Sequence, residues 1–152
     1  MNIKLLLLST FLLLILGTGL RADMGAVETV NIAAYDTMNY SVKEIDAHPG
    51  QKLVVILTNK GTLPKNIMAH NWILLKAGAS ANAYAKEALK EDNFQPKALA
   101  DEVIASTPAL GPNESATVAI TLPNTPGTYP YLCTAVGHTM GGGGMRGVLI
   151  VK

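Results

Sequence analysis

The sequence contains little cysteine, little histidine and little net charge. Its 152 residues include one cysteine, Cys133, and three histidines, and the formal net charge is +1. A single cysteine excludes an internal disulfide. The near balance of charge argues against nucleic-acid binding through a strongly basic surface. With 49% hydrophobic residues, the chain is not of the disordered class, and its length favours a single domain.

Long apolar runs are missing too, except at the N-terminus. The run Leu5–Leu20 is shorter than the roughly 20 apolar residues of a membrane-spanning helix. Residues 1–22 are therefore predicted to be a signal peptide of an exported, periplasmic protein, with cleavage after Gly19 as a competing site. The alternative is an uncleaved segment that anchors the chain to the membrane. Without residues 1–22 the net charge changes from +1 to −1.

Residues 23–152 are predicted to form one domain made mainly of strands. Short apolar or alternating runs bounded by Gly, Pro or Asn indicate about eight strands. They are 27–34, 40–47, 52–58, 71–76, 102–106, 115–122, 128–133 and 147–151. One helix, at 80–91, interrupts them and can be capped by Ser80. This order predicts an all-β Greek-key sandwich or barrel with one inserted helix.

The candidate chemistry lies between the last two predicted strands. Cys133, His138 and the methionines Met140 and Met145 bring a thiol, an imidazole and a thioether into one loop. Soft sulfur with imidazole suits copper and, less selectively, zinc. In an oxidising compartment a lone cysteine is a buried structural thiol, an intermolecular bridge or a functional sulfur, and since a free thiol there is open to oxidation, burial and metal ligation are the interpretations to test.

A trigonal copper site requires a second histidine. His48 lies in an Ala-His-Pro-Gly turn, where a solvent-facing side chain is expected. His70 directly precedes an apolar strand, a position that by itself favours a structural histidine over a ligand, so the choice depends on the residues around it.

Two separated motifs resemble those of the azurins and auracyanins, which are small blue-copper proteins of the cupredoxin fold. The first is Leu63–Trp72, which reads LPKNIMAHNW, and the second is Cys133-Thr-x-x-Gly-His138 with the ending Met-Arg-Gly-Val-Leu. The resemblance covers about residues 36–152. It implies a type 1 copper with His70, Cys133 and His138 as equatorial ligands. It also implies that Asn71 and Thr134 join the two ligand loops by hydrogen bonds.

The resemblance further implies two axial groups, and the sequence departs from the family at both. The backbone carbonyl of Ala69 would approach the metal at a position where azurins usually have glycine. The axial methionine of azurins lies four residues after the second histidine, where this chain has Gly142. Met145 is the favoured axial ligand and Met140 the second candidate. The run Gly141–Gly144 can enlarge the loop because glycine adopts positive φ at little cost.

The resemblance implies a soluble electron carrier whose copper cycles between Cu(I) and Cu(II). No carboxylate lies near the Cys133–His138 loop in sequence, and no acid–base pair for a substrate is evident, so the chain is not expected to be an enzyme. A periplasmic protein that binds and delivers copper through the same ligands is the alternative. A thiol enzyme with Cys133 as nucleophile is the other, although no third, orienting group is visible.

The electron is expected to leave through His138, because the resembled family exposes an edge of this histidine. An apolar docking face is expected around it, formed by Leu63, Pro64, Met68, Ala135, Val136, Gly137 and Met140. Such a face suits brief encounters with a redox partner, such as a c-type cytochrome or a terminal reductase or oxidase. Neither nucleic-acid binding nor stable membrane insertion after signal cleavage is expected.

Overall fold

The computed structural model of the protein describes residues 27–135, 138–139 and 144–152, which form two β-sheets. The strands are β1 Glu28–Tyr35, β2 Asn39–Tyr40, β3 Glu44–Ala47, β4 Lys52–Asn59, β5 Ile73–Leu75, β6 Val103–Ser106, β7 Ser115–Thr121, β8 Gly127–Leu132 and β9 Arg146–Val151. The helices are α1 Lys65–Met68, α2 Ala81–Ala88 and a 3₁₀-helix at Lys97–Glu102. None of these helices has the length and apolar character required to cross a bilayer. The predicted signal peptide lies outside the described residues and stays a prediction.

The sheets pack face to face, which confirms the predicted β-sandwich rather than a closed barrel. One sheet has the order β2-β1-β4-β7, and the other has the order β3-β9-β8-β5-β6. In β4 the side chains of Leu53, Val55 and Leu57 are buried while the alternate ones are half-buried. This period-two pattern is that of a strand with one face toward the sandwich core.

One strand prediction was wrong. Residues 40–47 were expected to form a single strand, but the chain changes sheets within them. Strand β2 pairs with β1, whereas β3 pairs in parallel with β9 in the other sheet. The crossing at 41–43 changes which side chains face inward, so that Ile45 and Ala47 are buried together with Tyr40. A single alternation therefore does not run through residues 40–47.

The inserted helix is confirmed, although it is shorter than predicted. It spans Ala81–Ala88, and the hydroxyl oxygen of Ser80 accepts a hydrogen bond from the backbone N–H of Ala83. The single-turn helix α1 and the 3₁₀-helix were not predicted, since neither contains a buried side chain. A short segment without an apolar stripe gives no periodic signal.

Strand order brings the candidate ligand segments to one end of the five-stranded sheet. Strand β8 lies between β9 and β5 and is antiparallel to both, with Leu132 opposite Arg146 and opposite Ile73. The C-terminal end of β8 therefore meets the N-terminal ends of its two neighbours. Cys133 follows β8, Met145 precedes β9, and the segment 69–72 precedes β5.

Candidate metal centre

Three side chains converge at this end of the sandwich, as the sequence predicted. The ligand atoms of His70, Cys133 and His138 all lie within 4.8 Å of one another, and the three residues are buried. The Cys133 Sγ lies 3.5 Å from the Nδ1 of His138 and 3.9 Å from the Nδ1 of His70. The two imidazole rings are tilted by 43°, with their centroids 4.8 Å apart.

Backbone hydrogen bonds hold each of these residues in place. His70 forms a reciprocal pair with Leu110, with N···O distances of 3.0 and 2.7 Å. The backbone N–H of Cys133 donates to the carbonyl of Met145 at 2.9 Å, and the N–H of Met145 donates to the carbonyl of His138 at 2.8 Å. The N–H of His138 in turn donates to the carbonyl of Ala135. These bonds thus fix the main chain from which each donor side chain extends.

Burial controls the charge of the three groups. Desolvation, followed by the nearby His138, lowers the pKa of His70 to about 4, and desolvation also lowers the pKa of His138. Both rings are therefore neutral at pH 7, with lone pairs available to a metal. Desolvation raises the pKa of the Cys133 thiol to about 11. A cation bound to the sulfur has to displace this proton, so metal uptake is coupled to proton release.

The predicted link between the ligand loops is present. The backbone N–H of Thr134 donates to Asn71 Oδ1, and Asn71 Nδ2 donates to Thr134 Oγ1, each at 2.8 Å. The Thr134 hydroxyl also donates to the carbonyl of Phe94 at 2.7 Å. The backbone N–H of Asn71 approaches the Cys133 sulfur at 3.5 Å. Asn71, which directly follows His70, therefore also contacts the sulfur of Cys133.

Sequence reasoning missed Thr139, which is buried and whose hydroxyl donates to the carbonyl of Cys133. A signal for it was available, because Asn71, Thr134 and Thr139 each directly follow a predicted ligand. Arg146 was noted only as part of the final motif, yet its guanidinium donates to the carbonyl of Thr139 at 2.8 Å. Side-chain donors that follow a ligand are well placed to fix the ligand's orientation.

The two candidate axial residues adjoin donor residues through the main chain. Met145 is 1% exposed and belongs to the same core cluster as Cys133. Ala69 directly precedes His70, is buried, and has φ −74° and ψ 150°. Because this φ is open to any residue, the methyl group that replaces the family's usual glycine fits without backbone strain. Met140 and Gly141–Gly143 lie outside the described residues.

Trp72, which ends the first motif and begins an apolar run, is a core residue, and His48 is confirmed in the solvent-facing position expected for it. Trp72 is fully buried in the core, with its ring centroid 5.6 Å from that of Tyr131. His48 is exposed in its turn. In the expected docking face, Leu63 and Pro64 are exposed and Met68 is half-buried.

Ala135 is fully buried, so its assignment to the docking face was wrong. The N–H of His138 donates to its carbonyl, and its side chain is part of the hydrophobic core cluster. Val136, Gly137 and Met140, the remaining members of the expected face, lie outside the described residues.

The donor set fits a copper ion. Two bonds of about 2.0 and 2.3 Å, the lengths of nitrogen and sulfur bonds at zinc, place the two donors about 3.7 Å apart at a trigonal angle. The observed separations of 3.5 and 3.9 Å lie on either side of this value. Two imidazoles with one thiolate are the donors of trigonal blue-copper sites. The described donor cluster contains no carboxylate, the donor type that suits magnesium, calcium or manganese.

Comparison with known proteins agrees with this chemistry. A family model described as copper binding proteins of the plastocyanin/azurin family matches residues 27–152. The azurin of Pseudomonas chlororaphis is 32% identical over 130 residues, which cover 81% of this chain and 97% of that protein. The azurin of Bordetella pertussis is 34% identical over 126 residues, covering 80% of this chain and 81% of that protein.

Solved structures of auracyanins have the same cupredoxin fold. Dithionite-reduced auracyanin from Roseiflexus castenholzii matches with a TM-score of 0.72 and 35% identity, over 84% of this chain and 99% of that one. Auracyanin A of Chloroflexus aurantiacus, described as a "blue" copper protein, matches with a TM-score of 0.72 and 30% identity, over 84% of this chain and 100% of that one. The chain therefore belongs to the plastocyanin/azurin family of copper-binding proteins.

Proposed function

We propose that the protein is a soluble electron carrier with one type 1 copper, held by His70, Cys133 and His138. The observation that supports this most directly is the convergence of two neutral imidazole nitrogens and one thiol sulfur in a buried pocket. When bound, copper supplies one-electron exchange between Cu(I) and Cu(II). The family membership supports the same function.

The role of the surrounding residues is to keep the donors still when the charge of the site changes. Cys133 and His138 are both hydrogen-bonded through their backbones to Met145. His70 is fixed to the Leu110 segment, and Asn71 joins its loop to that of Cys133. Donors held at fixed positions need little rearrangement between oxidation states. This rigidity favours fast electron exchange over the binding and turnover of a substrate.

The axial groups proposed are the thioether of Met145 and, on the opposite side, the backbone carbonyl of Ala69. Met145 is supported by its full burial and by its two hydrogen bonds to ligand backbones. A long, weak axial bond tunes the reduction potential of such sites. Replacement of Met145 should therefore change the potential more than it changes the stability of the bound copper.

We expect the electron to leave through His138, which is 4% exposed, whereas His70 and Cys133 are 0% exposed.

The surface nearest in sequence to His70 consists of Leu63, Pro64, Ile67 and Met68, here called the 63–68 surface. Leu63 and Ile67 are 39% and 58% exposed. The one cation in this segment, Lys65, is paired with Glu114, which leaves the surface nearly neutral.

A neutral apolar surface suits short-lived docking of a redox protein, such as a c-type cytochrome or a terminal reductase or oxidase. Export to the periplasm, with residues 1–22 as signal peptide, would place the carrier among such partners.

The experiment is absorption and electron spin resonance spectroscopy of the copper-loaded protein. We expect an intense visible thiolate-to-copper band in the wild type, its loss in Cys133→Ser, and an altered spectrum and potential in Met145→Leu. Met38→Leu, which changes an exposed methionine, is the matched control and should resemble the wild type. A colourless copper-loaded wild type would contradict the proposal. Copper lost within a few redox cycles would favour a delivery protein.

A further inference from the structure

Arg146 connects the ligand loop to helix α2. Its Nη2 donates to the carbonyl of Thr139 at 2.8 Å and to the Oδ1 of Asn82 at 3.1 Å. Thr139 follows the ligand His138, and Asn82 lies in the first turn of α2. One guanidinium group thus fastens the loop to an element outside the two sheets.

Thr139 is itself held on its other side. Its hydroxyl donates to the carbonyl of Cys133, and Gly144 packs so closely against it that an added Cβ would lie 2.6 Å from its Cα. The N–H of Met145 bonds to the carbonyl of His138 at 2.8 Å. Residues 138–139 and 144–146 are therefore hydrogen-bonded and packed against each other at the base of the loop, a pairing here called the neck. The side chain of Arg146 joins its two segments.

The charge of Arg146 is not neutralised by an acid within residues 27–135, 138–139 and 144–152. The ion pairs found there are Lys65–Glu114, Lys90–Glu87 and Lys152–Asp46. A guanidinium keeps its charge at any ordinary pH. Because Arg146 is half-buried, its field is screened less than that of a fully exposed cation.

Building on the proposed function, we propose that Arg146 is a positioning residue with two effects on the copper site. Its hydrogen bond to Thr139 holds His138 and Met145 in register, so that the extra residues of the loop do not loosen the ligands. Its positive charge disfavours the more positive oxidised site and therefore raises the reduction potential. The charge and the hydrogen bonding can be separated by substitution.

The test uses three variants of the whole chain. Arg146→Gln removes the charge and should lower the reduction potential, while Arg146→Lys keeps the charge and should leave the potential close to that of the wild type. Asn82→Ala breaks only the contact with α2 and is the matched control for the Thr139 contact. An Arg146→Gln potential equal to that of the wild type would overturn the electrostatic role.

Amide hydrogen exchange in the metal-free protein tests the positioning role without copper. We expect the Met145 amide to exchange about tenfold faster or more in both Arg146 variants, because each loses a charge-assisted hydrogen bond across the neck. In Asn82→Ala, Met145 exchange should stay near the wild-type rate. Unchanged Met145 exchange in both Arg146 variants would overturn the positioning role. A colourless copper-loaded wild type would contradict the proposed function. The exchange rates of the metal-free protein would still test the positioning role of Arg146.

Discussion

Asn71 and Thr134 are joined by two hydrogen bonds of 2.8 Å, one through the Thr134 backbone and one through its hydroxyl. Each residue directly follows a donor of the candidate metal centre, so this pair fixes one ligand loop against the other. Both residues are buried. A buried amide that loses its partner cannot recover the lost bond from water.

Thr134→Val should lower the free energy of unfolding by about 1–3 kcal/mol, because Asn71 Nδ2 loses its acceptor and the carbonyl of Phe94 loses its donor. The ratio of the thiolate-to-copper bands should also change as Cys133 shifts. Urea denaturation and absorption spectra measure the two effects. The control is Thr58→Val, whose hydroxyl contacts Ser115 at the surface; it should change stability by about 0.5 kcal/mol or less. Equal effects of the two substitutions would contradict this interpretation.

Gly147→Ala should destabilise the five-stranded sheet. Gly147 lies opposite Tyr131, and an added Cβ would lie 2.2 Å from the tyrosine ring. Tyr131 is fully buried and its hydroxyl donates to the carbonyl of Val42, so the ring cannot move away freely. We expect a loss of about 1–3 kcal/mol in urea denaturation.

The matched control for this prediction is Gly127→Ala at the N-terminal end of β8, the strand that contains Tyr131. An added Cβ there would meet its nearest atoms at 3.6 and 3.7 Å, which is ordinary contact. Its stability should remain close to that of the wild type. A loss as large as that of Gly147→Ala would indicate a general intolerance of side chains in β8 and β9 rather than a clash with Tyr131.

Glu114 should contribute stability that depends on pH. Hydrogen bonds from the Lys65 ammonium and then from the Gly111 N–H hold the pKa of its carboxyl below the ordinary 4.5. A lowered folded-state pKa means that the contribution is complete above 4.5 and is lost as the pH falls through the folded-state value. The stability difference between wild type and Glu114→Gln should therefore shrink between neutral pH and acid. If urea denaturation gives a difference that stays constant with pH, the ionised carboxylate of Glu114 does not contribute this stability.

Leu63→Lys should slow electron transfer to a c-type cytochrome by about tenfold, a cost of roughly 1.4 kcal/mol in docking, without changing the visible spectrum. Leu63 follows Thr62, which bonds to Asp36 just beyond the end of β1. The control Val27→Lys changes an exposed residue beside the other end of β1, which lies about 26 Å away along the strand. Stopped-flow rate constants should differ between the two variants. Equal rate constants would argue against docking at the 63–68 surface.

The strand content and the three convergent donors could be predicted because they depend on local patterns. Alternation in β4 and the apolar run of β9 are visible over a few residues. The two ligand motifs are also local, and the sheet order then brings them together. The break within 40–47 could not be predicted, because the sheet that each half joins depends on β1 and β9, which are distant partners.

The roles of Arg146 and Thr139 were missed for a different reason. Their hydrogen bonds join segments whose relative positions are set only by the folded loop and by α2. The position of Thr139 directly after a predicted ligand is a signal for its role, but nothing in the sequence indicates that Arg146 bonds to Thr139 and Asn82. The burial of Ala135 was likewise invisible, because small apolar residues occur both in cores and on docking surfaces.

The parallel pairing of β3 with β9 has a consequence for the folding of the chain. Glu44 pairs with Val148, so the five-stranded sheet stays incomplete until the last residues are available. Such long-range pairing slows folding, since a large loop has to close first. Cys133, His138 and Met145 arrive in the same final part of the chain. A chain truncated before β9 would keep these three residues but lack the strand with which β3 and β8 pair, so copper capture should report that β9 has joined the sheet.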